Sequence, residues 1–189
     1  MKKNNLIYLR AHHLLCLQGY QGYGYDEKFK KNMNKVFHQL NIKNNYNDYK
    51  NNYNDYKNNN EDNNDKNKEN QRFSNSSKMN NKNTVILTDY PDDLCSYCPN
   101  LIDDKCAGEI IDLKSVAKNT EKINSNNSKI IKMDQLVLQK AKLKKDTEYS
   151  IDEAISSVNK AFYNIDKAKE ICGKCKWENE CLWFQARIP

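Results

Sequence analysis

Six of the seven cysteines in this chain fall into two compact groups. Cys95, Cys98 and Cys106 lie in "DDLCSYCPNLIDDKC" as C-x2-C-x7-C, and Cys172, Cys175 and Cys181 lie in "EICGKCKWENEC" as C-x2-C-x5-C. A two-residue gap lets both thiolates of a pair reach one metal centre, because the turn between them points the two sulfurs inward. Four thiolates can hold tetrahedral zinc or an iron–sulfur cluster. Each pair has one further cysteine downstream, so each group offers three ligands and needs a fourth. Cys16, His12 or His13, all in "RAHHLLCL", could supply it. The ferredoxin run C-x2-C-x2-C and the C-x3-C-x2-C of radical S-adenosylmethionine enzymes are missing, so spacing divides evenly between zinc and iron–sulfur.

Competing uses of these residues are plainer. A thioredoxin-like C-x-x-C opens a helix after a strand, whereas residues 172–175 follow a helical pattern, which argues against redox exchange. A single buried cysteine commonly serves as a small hydrophobe, a description that suits Cys16 better than either triplet. Imidazole titrates near neutrality, so His12 and His13 are candidates for ligands or acid–base groups, and equally for a structural hydrogen-bonding pair. Arg10 could donate to cluster sulfides or bind an anion, although a surface salt bridge is the simpler expectation. Trp177 and Trp183 flank the last cysteines and are expected to cover the site from water. No Ser-His-Asp order, phosphate loop or paired-carboxylate motif is present, so catalytic residues stay unknown.

These groups must be positioned by a small fold. The 189 residues predict one cysteine-rich domain over 1–189. The net charge of +6 comes from dispersed lysines, and the three arginines (Arg10, Arg72, Arg187) are far apart, which reads as a soluble surface rather than a nucleic-acid face. Arg10, His12 and His13 interrupt any secretory apolar stretch, and no apolar run approaches a membrane span. A cytoplasmic setting with reduced thiols follows as the expectation, and an odd cysteine count leaves a full disulfide framework one short.

Residues 44–83 hold the tandem "NNYNDYK NNYNDYK" and then "NNNEDNNDKNKENQ". So little apolar surface cannot offset ordering entropy, so an Asn-rich, disordered insertion is expected; each doubling of loop length costs only about 0.6 kcal/mol of closure entropy. The shorter tract 118–129 reads the same way. Outside them, residues 26–40 place Phe29, Met33, Val36, Phe37 and Leu40 at helical spacing behind an Asp26 N-cap. Residues 150–167 begin with the capping box Ser150/Glu153 and continue as one apolar stripe. "MDQLVLQKAKL" (133–143) reads as a helix capped by Asp134, "TVILTD" (84–89) as a strand, and "LIYLR" as a strand pairing with it. "AHHLLCLQGY" turns into a short helix. The fold class is therefore α+β, a mainly helical small domain with a short two- or three-stranded sheet and a cysteine-rich metal or cluster site.

The residues also resemble a known family. "LRAHHLLCLQGYQGYGYDEKFKKNM" is similar to the "LRPHHLLCL…GKGYS..F..NM" opening of the domain of unknown function 1284 family of small prokaryotic proteins. The two later cysteine blocks and "MDQLVLQKAKLKKDTEYS" resemble that family's middle and C-terminal segments. The chain departs from it at Ala11, where the family has proline, and in the two polar tracts. The resemblance implies iron–sulfur binding by Cys95, Cys98, Cys106, Cys172, Cys175 and Cys181, with Cys16 as the extra ligand. The leading expectation is thus an iron–sulfur protein, of 4Fe–4S type, structural or electron-transferring, whose cluster ties the two blocks together and which serves a redox partner protein. One alternative is a zinc-stapled module binding protein or nucleic acid; another is a small-molecule oxidoreductase using His12, His13 and Arg10.

Overall fold

The structure, a computed structural model, describes residues 6–42, 83–108 and 120–188. The tract 44–83 lies outside them except for Asn83, which donates through Nδ2 to the Leu40 carbonyl at 3.1 Å. Three strands, β1 (Ile7–Arg10), β2 (Thr84–Thr88) and β5 (Glu148–Ser150), form one sheet in the order β1-β2-β5. β1 runs parallel to β2 with Ile7 opposite Val85, and β5 runs antiparallel with Thr84 opposite Ser150. The β-branched run at 84–88 thus takes the central position, as a two-sided buried strand should. A parallel pair needs a crossover, and α1 (His13–Gly19) and α2 (Glu27–Leu40) lie in it.

α1 is short but central. Leu14, Leu15, Leu17 and Gln18 are all buried, so it is apolar on several sides and behaves as a core helix. The one polar side chain among them is satisfied: Gln18 donates to the Leu14 carbonyl at 2.9 Å and accepts from Asn159 Nδ2 at 2.8 Å. α2 starts where expected, since Asp26 Oδ1 accepts from the Phe29 amide at 2.8 Å, and Met33, Val36 and Leu40 face the core. Among the described residues six α-helices accompany the sheets, so the α+β reading holds. No described helix is long and apolar enough to cross a membrane.

Three local expectations need correction. The 150–167 stripe is two helices, α4 (Ile151–Ala161) and α5 (Ile165–Cys172), because Phe162 breaks the first and Asn164 caps the second by accepting from Lys167 N at 2.9 Å. The Ser150 cap is present, with Glu153 N donating to its Oγ at 3.2 Å. Asp134 caps nothing: it lies within α3 (Thr120–Ala141), a helix of 22 residues. That helix also contains residues 120–129, which were expected to be disordered.

The asparagines of this tract have specific partners. β3 (Leu101–Ile102) and β4 (Lys105–Cys106) form a hairpin whose turn residues, Asp103 and Asp104, both have positive φ (47° and 56°), as a two-residue primed turn requires. Asn127 Oδ1 accepts from the Cys106 amide at 3.0 Å, and Asn126 Nδ2 donates to the Ala107 carbonyl at 2.7 Å. Asparagine is a poor helix former, but these bonds moor the cysteine-bearing hairpin to α3. The double variant Asn126→Ala/Asn127→Ala should therefore lose about 1–3 kcal/mol through the two groups left unpaired. An unchanged urea midpoint would show the tract to be idle.

Candidate metal centre

The described parts of the chain deliver cysteines from several elements to one place. Cys16 lies on α1, Cys95 in a 3₁₀ turn over Cys95–Tyr97, and Cys106 on β4. Cys172 ends α5, and Cys181 precedes α6 (Leu182–Gln185). The two C-x2-C gaps adopt the same turn: Cys98 N donates to Cys95 O, and Cys175 N to Cys172 O, each at 2.9 Å. All seven cysteines are free thiols, and all seven line one cavity of about 290 Å³, together with Arg10, His12 and His13.

Two buried carboxylates orient the histidines. Asp134 Oδ1 lies 2.6 Å from His12 Nδ1 and also accepts from the His12 amide at 3.0 Å. Asp92 Oδ2 lies 2.7 Å from His13 Nδ1 and accepts from the Arg10 amide at 2.6 Å. Burial works against ionising these acids, but His13 and amide donors hold Asp92 well below the usual carboxylate range, and His12 and Arg10 likewise lower Asp134. An ionised carboxylate only accepts, so each Nδ1 carries its proton and each Nε2 is the ring nitrogen left for the cavity. This is the arrangement in which a carboxylate fixes the tautomer of a metal-binding histidine.

Arg10 is not a surface residue. Its side chain is 1% exposed, and its Nε and Nη2 donate to Asp134 Oδ2 at 2.8 and 2.7 Å. Nη2 also reaches the Asp89 carbonyl at 3.3 Å, whereas Nη1 is buried without a hydrogen-bond partner. The surface salt bridge expected for it is replaced by a buried ion pair with one donor to spare. Trp183 is corrected too: it packs in the core, donates to Asn159 Oδ1 at 2.7 Å and stacks under Arg187 at 3.7 Å. Trp177 does line the cavity, stacked on Tyr23 at 5.0 Å.

Burial pushes up the thiols of Cys16, Cys95, Cys172 and Cys181, and raises Cys98 to about 11. Without metal these groups stay protonated, so a metal must displace protons to bind. The residues that sequence reasoning missed are Asp92, Asp134 and Gly19. Asp92 stands three residues before Cys95 and accepts its amide at 2.9 Å, a cap spacing readable in "DDLC". Gly19 backs onto the site: a Cβ there would stand 2.0 Å from Cys181 Sγ. No local signal marks Asp134.

The titrations share one sign. Burial lowers the His12 pKa from 6.5, and both carboxylates are depressed, so each group stabilises the fold above its unfolded pKa and loses that effect as pH falls. The metal-free chain should lose thermal stability from about pH 6.5 downward and more steeply near pH 4. His12→Gln should remove the upper part of the decline. A melting temperature flat between about pH 7 and pH 5 would contradict this.

A family model described as "Protein of unknown function (DUF1284)" matches residues 63–181. That span takes in both later cysteine blocks together with α3, β5, α4 and α5, and leaves out Cys16 and the two histidines. Neither the curated proteins nor the solved structures contain a match to this chain. On a match that extends over more than half of its length, the chain belongs to the DUF1284 family.

Proposed function

We propose that this protein binds an iron–sulfur centre in the cavity lined by its seven cysteines, in a structural or electron-transferring role. The observation that carries the reading is the convergence of all seven free thiols on one cavity. Thiols in a reducing setting gain nothing from such clustering, because each one displaces better-packing hydrocarbon from the interior.

The donor set fits such a group. Among the described residues, the group of three ligand atoms within 4.8 Å of one another is His13, Asp92 and Cys95, so no three sulfurs are that close. Tetrahedral zinc with Zn–S near 2.3 Å needs sulfurs about 3.8 Å apart. A cubane holds its thiolates farther apart, since each binds a different iron, so sulfurs not gathered within 4.8 Å are compatible with it. The unpartnered Arg10 Nη1 is a donor suited to a thiolate or sulfide. When bound, such a cluster supplies a one-electron carrier of the 4Fe–4S kind. The chain's part is to hold its ligands, to donate from Arg10, and to shield the site with the stacked Tyr23 and Trp177. Electron transfer would further require a redox partner protein.

A second reading, a small-molecule oxidoreductase, is favoured by the two carboxylate-oriented histidines facing the same cavity. Redox turnover of a small substrate, lost in His12→Ala with the cluster retained, would support it.

Anaerobic purification should give brown protein with iron and acid-labile sulfide in stoichiometric amounts; colourless protein containing zinc would overturn the proposal. Gly19→Ala offers a sharper check. Its Cβ must rotate the Cys181 sulfur away and, at 3.1 Å from the Trp183 amide nitrogen, must also shift that backbone by a few tenths of an ångström. That variant should keep its circular dichroism while its iron content falls at least two-fold. Full iron loading would mean that Cys181 is not a ligand.

A further inference from the structure

We infer that the cavity holds two separate iron–sulfur centres, one on Cys16, Cys172, Cys175 and Cys181, the other on Cys95, Cys98, Cys106 and Nε2 of His13. The inference rests on the iron–sulfur reading and replaces a single shared cluster. Seven thiols and the His13 imidazole are eight ligands, enough for two four-ligand sites, with the His12 imidazole left outside both.

The first group is assembled by α1 and the C-terminal turns. Gly19 lies one turn after Cys16, and its α-carbon faces the Cys181 sulfur so closely that a Cβ would meet it at 2.0 Å. The Cys172–Cys175 turn closes at 2.9 Å, and the Cys181 amide donates back to Trp177 O at 2.9 Å. After burial, thiolates at Cys175, Cys172 and Cys181 would bear most strongly on Cys16. The second group belongs to the 3₁₀ turn and the β3–β4 hairpin. A thiolate at Cys106 would bear on Cys98, and Arg10 bears on Cys95 and Cys106.

His13 is the fourth ligand of that second group because one carboxylate serves both it and Cys95. A nitrogen of His13, an oxygen of Asp92 and the sulfur of Cys95 lie within 4.8 Å of one another. Asp92 itself is saturated: Oδ2 takes the Arg10 amide and His13 Nδ1, and Oδ1 takes the amides of Leu94 and Cys95 at 3.0 and 2.9 Å. It therefore acts as the orienting group behind His13 and not as a ligand, and Nε2 is the nitrogen His13 can offer. Imidazole in place of thiolate raises a cluster's potential. The unpartnered Arg10 Nη1 favours the reduced state in the same direction. The centre on His13 is then the one reduced first in a titration.

The test is anaerobic iron and sulfide analysis of the full chain with a potentiometric titration followed by electron paramagnetic resonance. Two centres with distinct potentials are expected in the unaltered protein. Cys175→Ser should lose about half of the iron and the lower-potential signal, and Cys98→Ser the other half and the higher one. His13→Cys should retain all the iron but move the higher potential downward. A single centre in the unaltered chain overturns the inference without any variant, and so does a His13→Cys protein whose potentials do not move. Iron with sulfide in one centre would leave the iron–sulfur reading standing; no sulfide at all would remove both.

Discussion

The corner between β1 and α1 depends on two buried carboxylates that belong to distant parts of the chain. Asp134 on α3 holds the Arg10 guanidinium and both the amide and ring of His12, while Asp92 holds the Arg10 amide and the ring of His13. Taking an ion pair out of water is expensive, and it is tolerated only where further hydrogen bonds satisfy the partners. Here they do, except at Arg10 Nη1. Loss of either carboxylate would strand a buried charge or free a cavity-lining imidazole, which makes this corner the hinge between fold stability and site geometry.

The site itself is an electrostatic problem solved by composition. Asp134 pairs with the Arg10 guanidinium and Asp92 with the ring of His13, and burial keeps the surrounding thiols neutral until protons are displaced. Tyr23 stacked on Trp177, with Lys176 5.1 Å from the Trp177 ring, lines the same cavity. Gly19 belongs to the same economy of space: it lacks a Cβ because the Cys181 sulfur occupies that volume.

Much of the local structure was legible. The Asp26 and Ser150 caps, the strand at 84–88, the parallel partner at 7–10 and the short α1 all follow from patterns spanning only a few residues. The errors share a cause. Asp134 looked like a helix start and Asn124 to Asn127 like disorder, because local propensity carries no information about partners far along the chain. Asp134 meets Arg10 across 124 positions, and Asn127 meets Cys106 across 21. Arg10 was read as a surface cation for the same reason, and the continuous 150–167 stripe concealed a break at Phe162, which is buried and ends α4.

What the residues alone offered was an inventory of candidate ligands, because thiol pairs at two-residue spacing have a chemistry that local turns suffice to express. The separation of the blocks, 95–106 from 172–181, left open whether they meet at all. Only the tertiary structure decided that all seven thiols line one cavity, that both histidines line it with Nδ1 held by a buried carboxylate, and that an arginine lies buried beside them. Those outcomes are long-range pairings of buried charge and packed volume, and no window of sequence contains both partners.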